Sequence, residues 1–146
     1  MLMEIPKDKK VYFASDNHLG APNSTDSLIR EKKFVKWLNE IKGDAHAIFL
    51  VGDIFDFWFE YKKVVPKGYV RLLGKLAELS DKGISIHIFT GNHDIWIFDY
   101  VETEINANIY REPIQICLCF GSSRLKLSCV VNEKSFQLHA GYHTCI

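Results

Sequence analysis

Residues 49–61 read FLVGDIFDFWFEY, and the fold turns on how this stretch is taken. It opens as an apolar run, turns at Gly52 and places Asp53 where the run ends. Such a run is consistent with a buried strand, and a Gly-Asp at its end sets a carboxylate on the loop beyond the strand's carboxyl end. In open α/β sheets that edge is where ligands bind. Two other stretches repeat the design. Residues 11–15 (VYFAS) run into Asp16-Asn17-His18, and residues 84–90 (ISIHIFT) run into Gly91-Asn92-His93-Asp94. Three strands delivering oxygen and imidazole groups at one end make one site.

The segments between these strands read as helices. After a charged leader and a first strand over 10–15, the loop GAPNSTD (20–26) supplies Ser24, Thr25 or Asp26 as a cap. A helix then runs to about Lys42, with Phe34, Leu38 and Ile41 on one face, Trp37 beside them and Gly43 as its stop. The second strand covers 47–51. A polar connection over 62–68 leads to a second helix over about 69–82, which buries Leu72, Leu73, Leu76 and Leu79 and ends at Gly83. A third strand (84–90), a short helix (96–104) and a short strand at Ile109-Tyr110 follow. The order β-α-β-α-β predicts an α/β domain with a parallel or mostly parallel sheet and helices packed on it. From Gln115 onward, strands over 116–120, 125–131 and 136–139 have no helix between them, which predicts an antiparallel extension of that sheet. Only four of the last 30 residues are Asp, Glu, Lys or Arg, so this tail differs in character from the rest.

At 146 residues the chain suits a single domain, 1–146, able to bury a core. Its 47% apolar and 25% charged residues are a soluble globular composition, and 18 basic residues balance 18 acidic ones. No basic block marks a nucleic-acid partner. The leader MLMEIPKDKK is too polar for a signal peptide, and no apolar run approaches the ~18 residues of a membrane span, so the expected compartment is the cytoplasm. Cys117, Cys119, Cys129 and Cys145 have no zinc-type spacing and are expected to be thiols without a site role.

The chemistry follows from the donor types. Asp16 and His18, two apart on an extended segment, project to the same side. Both suit a borderline divalent ion such as Mn, Fe or Zn. Asp53 can bridge two ions, because a carboxylate offers two oxygens. Asn92 adds a neutral oxygen. His93 can donate to a phosphoryl oxygen, and Asp94 can orient that imidazole from behind. Two divalent ions held this way would clamp a phosphate and activate water. The aromatic run Phe55, Phe57, Trp58, Phe59 and Tyr61 either packs beneath the sheet edge, as is expected of at least half of it, or lines an apolar groove for a ligand. Asp56 either joins the metal site or caps a turn.

SDNHLG (15–20), VGDIFDFW (51–58) and TGNHDIW (90–96) resemble the first three signature blocks of the calcineurin-like metallophosphoesterases. The resemblance implies a layered αββα sandwich whose βαβαβ portion is followed by a strand-rich segment. It also implies a two-metal centre, manganese in the first instance, with Asp16 and His18 on the first ion, Asp53 bridging, Asn92 on the second and His93 catalytic. More narrowly, SDNHLGAP, GDIFDFWFEYK and VVPKGYVRLLGKLAELSDKG resemble the UDP-2,3-diacylglucosamine pyrophosphatases of lipid A synthesis, the Bacteroidetes type most of all. These release UMP from a nucleotide-sugar lipid, which implies peripheral contact with the cytoplasmic membrane. The best-known members carry Arg where His93 stands. The family also continues with a Gly-His-Gly-Asp-like block and a late histidine pair. Here the nearest counterpart is Leu138-His139-Ala140-Gly141-Tyr142-His143, and the expectation is a truncated or altered C-terminus in which His139 reaches the second ion. The alternatives are a phosphoesterase of another substrate and an inactive binding module of the same fold. Oligomeric state leaves no mark in the sequence.

Overall fold

The computed structural model describes residues 1–119 in full and, beyond them, the backbone of residue 120 and of strands 123–132 and 135–141. The elements are β1 (Leu2–Ile5), β2 (Lys10–Ala14), α1 (Ser24–Ile41), β3 (Ala45–Val51), α2 (Val70–Asp81), β4 (Ser85–Phe89), α3 (Tyr100–Ile105), β5 (Asn108–Tyr110), β6 (Gln115–Phe120), β7 (Ser123–Asn132) and β8 (Ser135–Gly141).

Strands β2-β3-β4-β5 form a parallel sheet in plain sequence order. Each step to the next strand crosses over through a helix, and right-handed crossovers that all move in one direction put their helices on one face. Residues of α1, α2 and α3 accordingly share a core with the sheet residues Ile48, Leu50, Ile86 and Ile88. The other face of the same strands carries Ala47, Phe49 and Phe89, which pack against Ile5, Ile116 and Leu118 of a second sheet. Strands buried on both faces need apolar residues at successive positions, which is why β3 reads as a continuous run.

The second sheet has the order β1-β6-β7-β8, with β1 parallel to β6 and the rest antiparallel. Two expectations are corrected here. The C-terminal strands stack on the first sheet rather than extend it, because the helix-free face of that sheet must be covered. The charged leader contains a strand, β1, whose pattern is too short to read alone: only Ile5 of its four residues is buried. The expected α/β architecture is present, with helices, parallel sheet and mixed sheet as successive layers.

Boundaries shift modestly. α1 is capped by Asn23, whose side chain accepts from the Asp26 amide at 3.0 Å, rather than by residues 24–26. α2 has no cap of its own at Tyr69, which sits in the left-handed region. Glu31 of α1 replaces it, accepting from the amides of Arg71 and Leu72 at 2.9 and 3.1 Å. α3 starts at Tyr100 rather than Trp96, and Glu60 accepts from the amides of Phe98, Asp99 and Tyr100 at its entrance. Neither buried glutamate declares itself in the sequence, since its partners are backbone groups about 40 residues away. No helix among the described residues is long and apolar enough to cross a membrane.

Candidate metal centre

The loops leaving β2, β3 and β4 are sewn together by backbone before any side chain is considered. The Asp16 amide donates to the Gly52 carbonyl at 3.2 Å, and the Gly52 amide to that of Phe89 at 2.9 Å. The amides of His18 and Leu19 then donate to the carbonyls of Asp53 and Ile54 at 2.9 and 3.0 Å. The parallel ladder thus continues past the strand ends, and the three motifs stand side by side.

Asp16, His18 and Asp53 all have left-handed backbone, with φ of 54°, 41° and 52°. Non-glycine residues rarely adopt this region, and strain of ~1–3 kcal/mol per residue tends to collect at functional sites. One donor atom from each of these three residues lies within 4.8 Å of the others, and His18, Asp56 and His93 form a second such group. Carboxylate oxygens and imidazole nitrogens at this spacing fit a divalent ion of the Mn, Fe or Zn type. Gly91 makes the crowding possible: a Cβ there would lie 2.3 Å from Asp53 Oδ1 and 2.6 Å from Asp53 N. Asp53 Oδ1 is held in turn by the His93 amide at 3.0 Å.

The expected pairing of Asp94 with His93 is not the one formed. Asp94 is fully buried, and its carboxylate is taken up by the amides of the loop base. Its Oδ1 accepts from the Gly91 amide at 2.7 Å, and its Oδ2 from Ile54 and Phe55 at 2.9 and 3.3 Å. Burial pushes its carboxyl up from the usual range, while these N–H groups pull it back. It is a brace between two site loops. The histidine's partner is Asp56: His93 Nδ1 lies 2.9 Å from the Asp56 carbonyl oxygen, which can only accept, so Nδ1 carries the proton of that bond. That hydrogen bond, then the charges of Asp53, Asp56 and Asp94, raise the His93 pKa against a partial desolvation. The Asp56 carboxylate lies 3.5 Å from His18 Nδ1 and 3.6 Å from His93 Nδ1, and the two rings meet edge to face with centroids 4.7 Å apart. Of the two readings left open for Asp56, the structure favours the site.

Helix α1 supports the first loop. Arg30 donates through Nη2 to the His18 carbonyl at 2.8 Å and also to that of Ala21. Ser27 Oγ accepts from the Gly20 amide at 2.8 Å, and Tyr69 Oη donates to the Leu19 carbonyl at 3.1 Å. Sequence reading missed Arg30. It sits nearly two turns into an amphipathic helix with nothing in its type or spacing to distinguish it from a solvated arginine.

Asn92 lies exposed in the 91–94 loop. His139 occupies β8 opposite Ser128, with its side chain outside the described residues, as is the whole of His143. The aromatic run is divided between interior and surface. Phe55 and Trp58 are buried, whereas Phe57, Phe59 and Tyr61 are exposed, so fewer than half pack inward.

Similarity to known proteins agrees with this geometry. A family model for calcineurin-like phosphoesterases matches residues 9–145. Over 107 residues the chain is 48% identical to the UDP-2,3-diacylglucosamine hydrolase of Porphyromonas gingivalis, covering 73% of this chain and 41% of that protein. It is 35% identical over 91 residues to the enzyme of that name from Neisseria meningitidis serogroup A, covering 61% and 35%. For the one from Nitrosococcus oceani the figures are 25% over 107 residues, 73% and 41%. The chain therefore spans about two-fifths or less of the length of these curated relatives. The chain belongs to the calcineurin-like phosphoesterase family.

Proposed function

We propose that this chain carries the metal centre of a hydrolase that cleaves the pyrophosphate of UDP-2,3-diacylglucosamine, releasing UMP and leaving the diacylglucosamine 1-phosphate of lipid A synthesis. The observation that carries this reading is the convergence of Asp16, His18 and Asp53 within 4.8 Å on strained backbone at one sheet edge. The relatives' shared name supports the substrate.

In this reading Asp16 and His18 hold one ion, Asp53 bridges, and Asn92 with His139 serve a second. Manganese is the proposed metal, with iron and zinc suited to the same donors. Bound divalent ions supply Lewis-acid polarisation of the phosphoryl group and lower the pKa of water. The His93 amide donates to Asp53 Oδ1 at 3.0 Å, which holds the carboxylate where it would bridge two ions. His93, whose Nδ1–H is committed to the Asp56 carbonyl, would donate Nε2–H to a phosphoryl oxygen as the imidazolium, the form that its raised pKa favours. In the hydrolysis a water oxygen bonds to phosphorus and gives up a proton to solvent, the P–O–P link breaks, and the departing phosphate oxygen leaves with the electron pair. We place the protein in the cytoplasm, against the membrane that holds its lipid substrate.

The test is Asp53→Asn, which keeps shape and tolerates left-handed backbone but removes the bridging charge. Release of UMP from UDP-2,3-diacylglucosamine and Mn²⁺ stoichiometry by titration calorimetry are read together. Loss of both in the variant is expected. Normal turnover with normal metal content would end the bridging assignment. Cleavage of a simple phosphodiester by the wild type, without UMP release, would move the substrate elsewhere.

A further inference from the structure

Tyr69 stands in the left-handed region, with φ of 57°, at the entrance of α2. A bulky aromatic residue rarely holds this conformation, and strain that persists tends to collect where it serves a function. Capping the helix is not that function. Tyr69 makes no side-chain cap, and Glu31 accepts from the Arg71 and Leu72 amides in its place. What the conformation delivers is the ring. It packs on Phe55 and Trp58, with centroids 4.8 and 6.2 Å away, and its Oη reaches the first site loop to donate to the Leu19 carbonyl at 3.1 Å. Gly20 leaves room for it, since a Cβ there would lie 2.8 Å from Tyr69 Oη and 3.5 Å from Asp56 Cβ.

The Leu19 carbonyl has a second donor. The Asp56 amide bonds to the same oxygen at 2.9 Å, and a carbonyl with two lone pairs accommodates both. Leu19 is fully buried, so this one oxygen joins the tyrosine to Asp56 away from water. Asp56 in turn accepts His93 Nδ1 on its own carbonyl at 2.9 Å and sets its carboxylate 3.6 Å from the same nitrogen. We propose that Tyr69 is a positioning residue for the reaction, fixing through Leu19 and Asp56 the direction in which His93 meets the phosphoryl group. Packing against Phe55 and Trp58 would be met by a phenylalanine; the hydroxyl is what the chain of hydrogen bonds requires. Burial first, then the charges of Asp56 and Glu31, push that hydroxyl up from its ordinary pKa of 10.0, so it keeps its proton and stays a donor at neutral pH.

The proposal rests on the phosphoester-cleavage reading for the task of His93, and its test has one readout that needs neither substrate nor metal. Tyr69→Phe keeps the ring and deletes the hydroxyl. The 146-residue chain, labelled with 15N-histidine and held in EDTA at a pH where the ring is neutral, gives the His93 tautomer from its two nitrogen shifts by NMR, with His93→Gln assigning the signal. The Nδ1–H form is set by the bond to the Asp56 carbonyl. Expected in Tyr69→Phe is a ratio of Nδ1–H to Nε2–H at least about tenfold lower. With Mn²⁺ restored, kcat for UMP release is expected to fall about tenfold, with KM and metal stoichiometry unchanged. An unmoved tautomer ratio overturns the proposal, whatever turnover does, and leaves Tyr69 a packing residue. So does a shifted ratio with unchanged kcat, which would confine the hydroxyl to the loop it touches. If the wild type releases no UMP, the proposed function fails by itself, and the tautomer ratio alone decides whether Tyr69 positions His93.

Discussion

The guanidinium of Arg30 donates to the carbonyl oxygen of His18 across 2.8 Å, tying the middle of the first helix to a candidate ligand whose φ is 41°. The contact opposes relaxation of a backbone that an ordinary residue would leave. Removing groups that orient metal ligands commonly lowers affinity 10–100-fold. Arg30→Ala is therefore expected to weaken Mn²⁺ binding by roughly 10-fold or more, with partial recovery in Arg30→Lys, which can reach one carbonyl. Calorimetric titration checks this; unchanged affinity in the alanine variant would make the contact passive.

Gly91→Ala should remove metal binding altogether. The new Cβ meets both the carboxylate and the backbone nitrogen of Asp53, and only the carboxylate can swing aside. Overpacking of this kind destabilises by about 1–3 kcal/mol. Urea unfolding in EDTA reads the destabilisation and metal analysis reads the loss. A variant that still holds Mn²⁺ would show that the two loops part more easily than their hydrogen bonds suggest.

Asp94 and His93 are neighbours in sequence with opposite duties, and their variants should separate cleanly. Asp94→Asn keeps one acceptor oxygen where two serve three buried amides. It is expected to lose about 2 kcal/mol of stability, the range for a buried hydrogen bond to a charged group. His93→Ala is expected to leave stability within about 0.5 kcal/mol, and to leave metal bound while lowering turnover. Comparing unfolding midpoints in EDTA decides it. Equal destabilisation by the two would restore Asp94 as the partner of His93.

His87 gives a pH dependence away from the site. It is buried between Phe49, stacked at 4.3 Å, and Tyr110, whose hydroxyl lies 3.0 Å from Nδ1, while Nε2 has no partner among the described residues. Burial, with a smaller contribution from His46, lowers its pKa from 6.5 to about 4. The unfolded chain then takes up the proton first as pH falls. Its contribution is fully present above 6.5, declines between 6.5 and about 4, and is constant below. The slope in that window is about 1.4 kcal/mol per pH unit. His87→Phe should flatten the dependence and raise stability at pH 5, read from unfolding at a series of pH values; an unchanged slope would assign the acid sensitivity to other groups.

Much of this architecture is written locally. Each of the strands β2, β3 and β4 is a run with its own stop, and Gly52 and Gly91 announce the loops that hold Asp53 and His93. The convergence of Asp16, His18 and Asp53 could be read because three strand ends in order carry carboxylate and imidazole groups. What stayed hidden depends on partners far away. Glu31, Glu60 and Asp94 are buried carboxylates that each accept from amides about 40 residues away. The assignment of Asp94 failed for this reason: adjacency to His93 in sequence suggested a pairing that the turn geometry directs elsewhere. β1 was invisible because a four-residue strand with one buried side chain carries too little pattern, and its sheet-mates start more than a hundred residues later.

That last separation has a temporal meaning. The Met1 amino group donates to the Gln115 carbonyl across 114 positions, whereas the parallel sheet joins each strand to the next one made. Closing so long a loop is entropically the slower event, and chains emerge from the ribosome N-terminus first. The parallel sheet can thus assemble during synthesis while the first strand waits, unpaired, for the sixth. Its apolar Leu2, Met3 and Ile5 are exposed to other chains throughout that interval, so growth temperature and expression rate should govern how much of the protein is recovered folded.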